Sequence, residues 1–265
     1  MASDAELIAE FIGARTEHRA HTPPSERQGQ PLSLAEAYRL QDVLRDALVR
    51  RGETVTGWKA GFTNRGAQDA YQVSEPVCAF LLASSVLPSG AEVPVARFTG
   101  LAVEAEVAFV MGRDLAGPGV TASAAADAVK GAQPALELVD FRYTGKALGT
   151  DVIAEGVFAK SVVLAGALTP IAGLDLALEG LVWEQSGRIM ATNTAAEVMG
   201  NPLNSSGLDR QPSGLPRSHA QGGRPGDDRL GVRPPAPEGR RDGPRALHPA
   251  GRRLRALRVM RAHTE

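Results

Sequence analysis

The sequence predicts an α+β fold, in which N-terminal helices lead into a mixed, curled sheet and the C-terminal part is lost to a disordered tail. Three observations carry this expectation. Two capping boxes open amphipathic helical patterns within residues 1–53. From residue 54 the chain changes to short apolar runs separated by Gly and Pro, which is the texture of strands. From residue 206 it changes again, to an Arg-, Pro- and Gly-rich stretch without a single aromatic residue. The expected organisation is therefore a helical portion over 1–53, a sheet portion over 54–205 and an unstructured tail over 206–265.

Ser3 and Glu6 have capping-box spacing, and Leu7, Ile8 and Phe11 follow on one helical face. A polar, Pro- and Gln-containing segment comes next; its His18 and His21 read as solvated loop residues in preference to a metal pair. Ser33 and Glu36 repeat the capping signature, Leu34, Ala37, Leu40, Leu44 and Leu48 keep helical spacing, and Gly52 marks the stop. Strands are predicted at Thr54–Phe62, Ala91–Val95, Val103–Met111, Ala135–Phe141, Ser161–Ala165 and Leu181–Trp183, with a short helix over Thr121–Gly131. No internal repeat and no Gly-rich phosphate loop is visible, so nucleotide binding has no support.

Composition narrows the function classes. The 265 residues are 43% hydrophobic, enough for a real core, and a single cysteine, Cys78, excludes a disulfide framework or a cysteine zinc site. The acidic N-terminus has no signal-peptide pattern and no apolar run approaches a membrane span, so a cytoplasmic protein is expected. The net charge of −1 averages two unlike pieces. Residues 1–205 carry 16 Lys+Arg against 24 Asp+Glu, whereas 206–265 carry 13 Arg against 6 Asp+Glu.

The segment Leu101–Met111 holds the most informative pattern. Side chains alternate along a strand, so Glu104 and Glu106 share a face while Val103, Ala105, Val107 and Phe109 take the other. Two adjacent carboxylates on one face repel unless a proton or a cation sits between them. A second apolar run, Pro134–Asp140, contributes Glu137. Three glutamates without Cys or His nearby form a ligand set for a hard divalent ion, Mg²⁺ or Mn²⁺. On spacing alone a solvated sheet face stands level with that reading. Lys59, one of four lysines, lies in Gly57-Trp-Lys-Ala-Gly61, where glycines permit close approach by a ligand. A partly desolvated lysine there can exchange protons or hold a carboxylate, and an exposed strand lysine fits equally well.

Taken in order, Gly57-Trp-Lys-Ala-Gly-Phe-Thr63, Val103-Glu-Ala-Glu-Val-Ala-Phe-Val110, Pro134-Ala-Leu-Glu-Leu-Val-Asp140, Asp151-Val-Ile-Ala154 and Gly200-Asn-Pro-Leu-Asn204 resemble the 2-keto-4-pentenoate hydratases. Related enzymes are 2-oxohept-3-ene-1,7-dioate hydratase and 4-oxalocrotonate decarboxylase, all within the fumarylacetoacetate hydrolase superfamily. The resemblance runs from about residue 30 to 205. It implies a mixed β-roll, Mg²⁺ or Mn²⁺ on Glu104, Glu106 and Glu137, and Lys59 as a catalytic lysine in the pocket. It further implies that the ion chelates the carboxylate and 2-oxo oxygens of a 2-hydroxydienoate and stabilises the enolate form. Protonation of the distal carbon and addition of water would follow, whereas decarboxylases would lose CO₂ from the same arrangement. Two departures bear on substrate choice and proton relay. Glu75-Pro-Val77 stands where many members have Glu-Pro-Asp, and Ile153-Ala-Glu-Gly156 where many have Ile-Ala-Asp-Asn. Glu155 is thus the candidate catalytic carboxylate replacing that aspartate.

Members of the group continue beyond Asn-Pro-Leu-Asn with segments that 206–265 lacks in the given frame. Codons can be chosen for Gly223–Val232 so that a shift of one base reads Gly-Asp-Leu-Val-Met-Thr-Gly-Ser-Val, the expected loop, and further matches keep register along the tail. The expectation is a one-base insertion near codon 205, with 1–205 alone too short to close the fold. An Arg-rich arm for nucleic acid or membrane is the rival; it lacks aromatics, a basic helical stripe and a lipidation site. The sequence thus points to a hydratase acting on a small 2-oxo or 2-hydroxydienoate, with no nucleic-acid or membrane partner, and to a homo-oligomer where the C-terminus is intact. A decarboxylase, and an inactive remnant or non-catalytic partner subunit, are the alternatives.

Overall fold

The computed structural model describes residues 3–115 and 119–207, together with the backbone of two short strands at 225–230 and 253–254. Three helices come first: α1 (Asp4–Glu17), α2 (Pro24–Gln28) and α3 (Leu34–Arg50). Both capping boxes form. Ser3 Oγ accepts from the Glu6 amide at 3.3 Å and Ser33 Oγ from the Glu36 amide at 3.2 Å, while each glutamate accepts in return from the cap backbone. β1 (Val55–Gly61), α4 (Arg65–Tyr71), β2 (Val77–Leu82), β3 (Val86–Pro88) and β4 (Val93–Pro94) follow. The chain continues through β5 (Leu101–Met111), α5 (Ala122–Ala128), β6 (Val129–Asp140), α6 (Gly149–Ala154) and β7 (Ala159–Leu164) to the hairpin β8 (Gly180–Gln185) and β9 (Arg188–Thr194).

The tail's two described strands are β10 (Pro225–Leu230) and β11 (Arg253–Leu254). The main sheet has the order β2-β1-β10-β5-β6-β7-β3 and is mixed, with β1/β10 and β7/β3 parallel and the other pairs antiparallel. The tail expectation meets an exception here. Pro225–Leu230 fills the slot between β1 and β5, where two rows of backbone donors and acceptors need partners. The remainder of 208–265, and with it most of the shifted-frame reading, lies outside the described residues.

Helices and sheet share one core. Leu7, Phe11, Leu40 and Leu44 pack with Phe80, Val139, Ile153 and Phe158, so the boundary at residues 53/54 is a loop between α3 and β1. Gln41 of α3 is buried, and its amide donates to the carbonyls of Cys78 and Ile153, tying the helix to β2 and α6. The predicted strand at Ala91–Val95 shortens to two residues because Pro94 has no amide to donate. The predicted helix to Gly131 stops at Ala128, since β-branched Val129 pairs with Met111 and opens β6.

Candidate metal centre

β5 and β6 bring the three glutamates together by register. Glu104 pairs directly with Glu137, and Glu106 lies one pleat along the same face. The opposite face is apolar, where Val103, Ala105 and Val107 pack with Leu136, Leu138 and Val163. This alternation fixes which way the carboxylates point, because a slip of one residue would drive them into that core. One oxygen from each of Glu104, Glu106 and Glu137 lies within 4.8 Å of the others, and Glu106 and Glu137 are 2% and 1% exposed. Three hard oxygen donors in this space fit Mg²⁺ or Mn²⁺, whose charge would offset the mutual repulsion. The solvated sheet face does not describe this arrangement.

Lys59 of β1 is likewise buried, at 1% exposure. Its ammonium donates to Glu137 Oε1 and, at 3.1 Å, to the carbonyl of Val157. The exposed-lysine reading is thereby excluded. The glycine expectation is corrected as well. A Cβ on Gly61 would lie 2.7 Å from Val157 Cγ1, so this glycine makes room for a packed side chain rather than for a ligand.

Val157 belongs to an uncommon turn. Helix α6 ends in a Schellman arrangement, with the Gly156 amide donating to Ile153 O at 3.0 Å and the Val157 amide to Val152 O at 2.8 Å. Gly156, Val157 and Phe158 all have positive φ, at 84°, 52° and 55°. For the β-branched Val157 this is a true outlier, costing about 1–3 kcal/mol. Position 156 requires a left-handed residue, which Gly supplies and Asn tolerates best among the others. The Gly-for-Asn departure thus preserves backbone shape.

Glu155 is fully buried, and its carboxylate faces Arg142 Nε and, at 3.7 Å, His21 Nε2. Burial alone would raise its pKa, but the Arg142 charge, His21 and Arg15 outweigh that and hold it at about 2. A carboxylate so firmly ionised suits an ion pair. Asp140 extends the network: Oδ2 lies 3.3 Å from Arg142 Nη1, and Oδ1 accepts from the amides of Thr99 and Gly100. His21 packs between Phe11 and Tyr143 in the core and is not a solvated loop residue, whereas His18 caps α1 with φ 55°. Val77, standing where many members of the resembled group have aspartate, is a core residue of β2. Sequence reasoning missed Arg15, Asp140, Arg142 and His21; the only signal was charge beside apolar runs, which exposed residues give as well. A surface cleft of about 610 Å³ lined by Asp127, Lys130 and Asp175 includes none of the three glutamates.

A model of the fumarylacetoacetate (FAA) hydrolase C-terminal region matches residues 52–196. The chain belongs to the fumarylacetoacetate hydrolase family. Within it, the chain is 29% identical over 201 residues to a 2-hydroxypent-2,4-dienoate hydratase of Pseudomonas putida, covering 75% of this chain and 90% of that protein. It is 28% identical over 200 residues to a 4-oxalocrotonate decarboxylase of Pseudomonas sp. strain CF600, covering 75% of each. The fold matches that of 4-oxalocrotonate decarboxylase from Pseudomonas putida G7, solved with magnesium and adipate. There the TM-score is 0.73 at 24% identity, over 77% of this chain and 79% of the other. Among the described residues of this family member, no helix is long and apolar enough to cross a membrane.

Proposed function

We propose that the chain is a divalent-metal-dependent hydratase, a hydro-lyase that adds water to a 2-hydroxy-2,4-dienoate in the breakdown of aromatic compounds. The observation that carries this reading is the buried carboxylate triad with the Lys59 ammonium against Glu137. Glu104, Glu106 and Glu137 would hold Mg²⁺ or Mn²⁺. A bound ion supplies Lewis acidity that favours negative charge on a 2-oxo oxygen. Lys59 supplies the proton chemistry. Two of its three N–H donors go to Glu137 and Val157, which hold the ammonium against the triad. The burial of Lys59 and Glu137 strengthens these polar contacts. Exposed Val182, Ile189 and Met190 on the β8–β9 hairpin support the homo-oligomer expected of an intact chain.

A decarboxylase reading has its own support in the 28% identity to 4-oxalocrotonate decarboxylase, and it uses the same residues. The two separate in one assay with Mg²⁺. Addition of 2-hydroxypenta-2,4-dienoate should abolish dienol absorbance, and a chelator should stop it. CO₂ release from 2-oxo-3-enedioate without dienol loss would transfer the assignment to the decarboxylase. Neither reaction would leave a remnant or a non-catalytic subunit. Saturating Mn²⁺ should also raise the melting temperature, by about 2.7 kcal/mol of stabilisation at a hundredfold excess over Kd. Glu104→Gln should remove most of that gain.

A further inference from the structure

The Gly156–Phe158 turn, with three successive positive φ values, holds Lys59 by a backbone carbonyl and is itself contacted by side chains from other elements. The Arg15 guanidinium, from the last turn of α1, donates to the Glu155 carbonyl and, at 3.1 Å, to the Ala159 carbonyl. These two acceptors bracket the turn on either side. The guanidinium also lies directly over Gly156, where a Cβ would come within 3.0 Å of Nη2. On the side-chain side, Arg142 holds the Glu155 carboxylate, and the Asp140 amide donates to Phe158 O at 3.1 Å. Within this frame the Val157 carbonyl points at Lys59 Nζ.

We propose that Arg15 is a positioning residue for Lys59: it spans the carbonyls of Glu155 and Ala159, locks the left-handed turn between them, and so fixes the Val157 carbonyl that orients the ammonium. The Arg142–Glu155 pair secures the same turn from inside the core. A planar, two-pronged donor suits two carbonyls on either side of a tight turn, and a lysine ammonium lacks that fixed fork. The kinetic part of this inference rests on the proposed use of Lys59 in turnover; the geometric part does not.

The test uses the full chain with isotope-labelled lysine, whose four lysines give few signals, the Lys59 signal being assigned by its loss in Lys59→Arg. Without added metal, Arg15→Met should move the Lys59 side-chain resonance while those of exposed Lys130 and Lys146 stay in place. Arg15→Lys should move it less. With Mg²⁺ and dienoate, Arg15→Met should lower kcat on the order of 10–100-fold with KM little changed, and Arg15→Lys should recover part of the loss. An unmoved Lys59 resonance would overturn the proposal. So would a loss confined to KM, or equal damage by both variants together with a lowered melting temperature, which would mark Arg15 as a residue of folding only. If the wild-type chain turns over no dienoate, the reaction assignment fails, while the resonance still decides the positioning.

Discussion

At Glu155 a fully buried carboxylate is compensated by Arg142, His21 and Arg15, and the ionised form prevails. The folded protein keeps this group at about 2, against an ordinary 4.5 in an open chain. As pH falls, the unfolded chain therefore takes up the proton first. The stabilisation is complete above about pH 4.5 and is lost as pH falls toward 2. Glu155→Gln should flatten the stability–pH curve across that window. At neutral pH it should also destabilise the fold, because buried Arg142 would keep only the Asp140 carboxylate as its counter-charge. Urea unfolding at pH 7, 4.5 and 3 reads both effects; an unchanged pH dependence in Glu155→Gln would show that other carboxylates control acid stability.

The contact between β1 and the turn after α6 can be tested by exchanging volume across it. Gly61→Ala places a methyl 2.7 Å from Val157 Cγ1 and 3.3 Å from Val77 Cγ2, so it should destabilise by about 1–3 kcal/mol. Val157→Ala removes the obstructing atoms, and the double variant should recover much of the loss, a coupling that a double-mutant cycle measures. Additive effects would mean that the two elements do not press on each other. This contact also shows how far the sequence could be read. Capping boxes are local, so the starts of α1 and α3 were legible to the residue, and strict alternation gave β5 with the facing of Glu104 and Glu106. The metal triad needed only one further apolar run, Pro134–Asp140. Helix α4, strand β2 and helix α6 were missed, because each is only six or seven residues long and its periodicity too brief to register. The braces at Arg15, Arg142 and His21 depend on contacts more than a hundred residues apart in two cases, and no local pattern encodes those.

Across the whole molecule, continuity of the main sheet depends on six residues of the Arg-rich tail. β10 lies between β1, which carries Lys59, and β5, which carries Glu104 and Glu106; its pairs Lys59↔Asp227 and Asp227↔Ala108 connect the two halves of the site. Yet Pro-Gly-Asp-Asp-Arg-Leu is a poor strand sequence, since Pro lacks a ladder donor and Gly and Asp rank low in strand propensity. Shifted by one base, the same stretch can read Leu-Val-Met-Thr-Gly-Ser, in which β-compatible residues replace the breakers at the start of the strand. The slot and the shifted reading therefore agree on one position, although they come from backbone pairing and from codon arithmetic respectively. A gene with one base removed near codon 205 should give a protein of higher melting temperature, better soluble yield and tighter Mn²⁺ binding than the 265-residue chain. The 265-residue chain itself should express poorly, because a weakly held β10 exposes the facing edges of β1 and β5. Side-by-side expression, thermal unfolding and Mn²⁺ titration decide this. Equal solubility and equal Mn²⁺ affinity in the two proteins, or an unbroken reading frame on resequencing that codon, would show that the tail as written belongs to this protein.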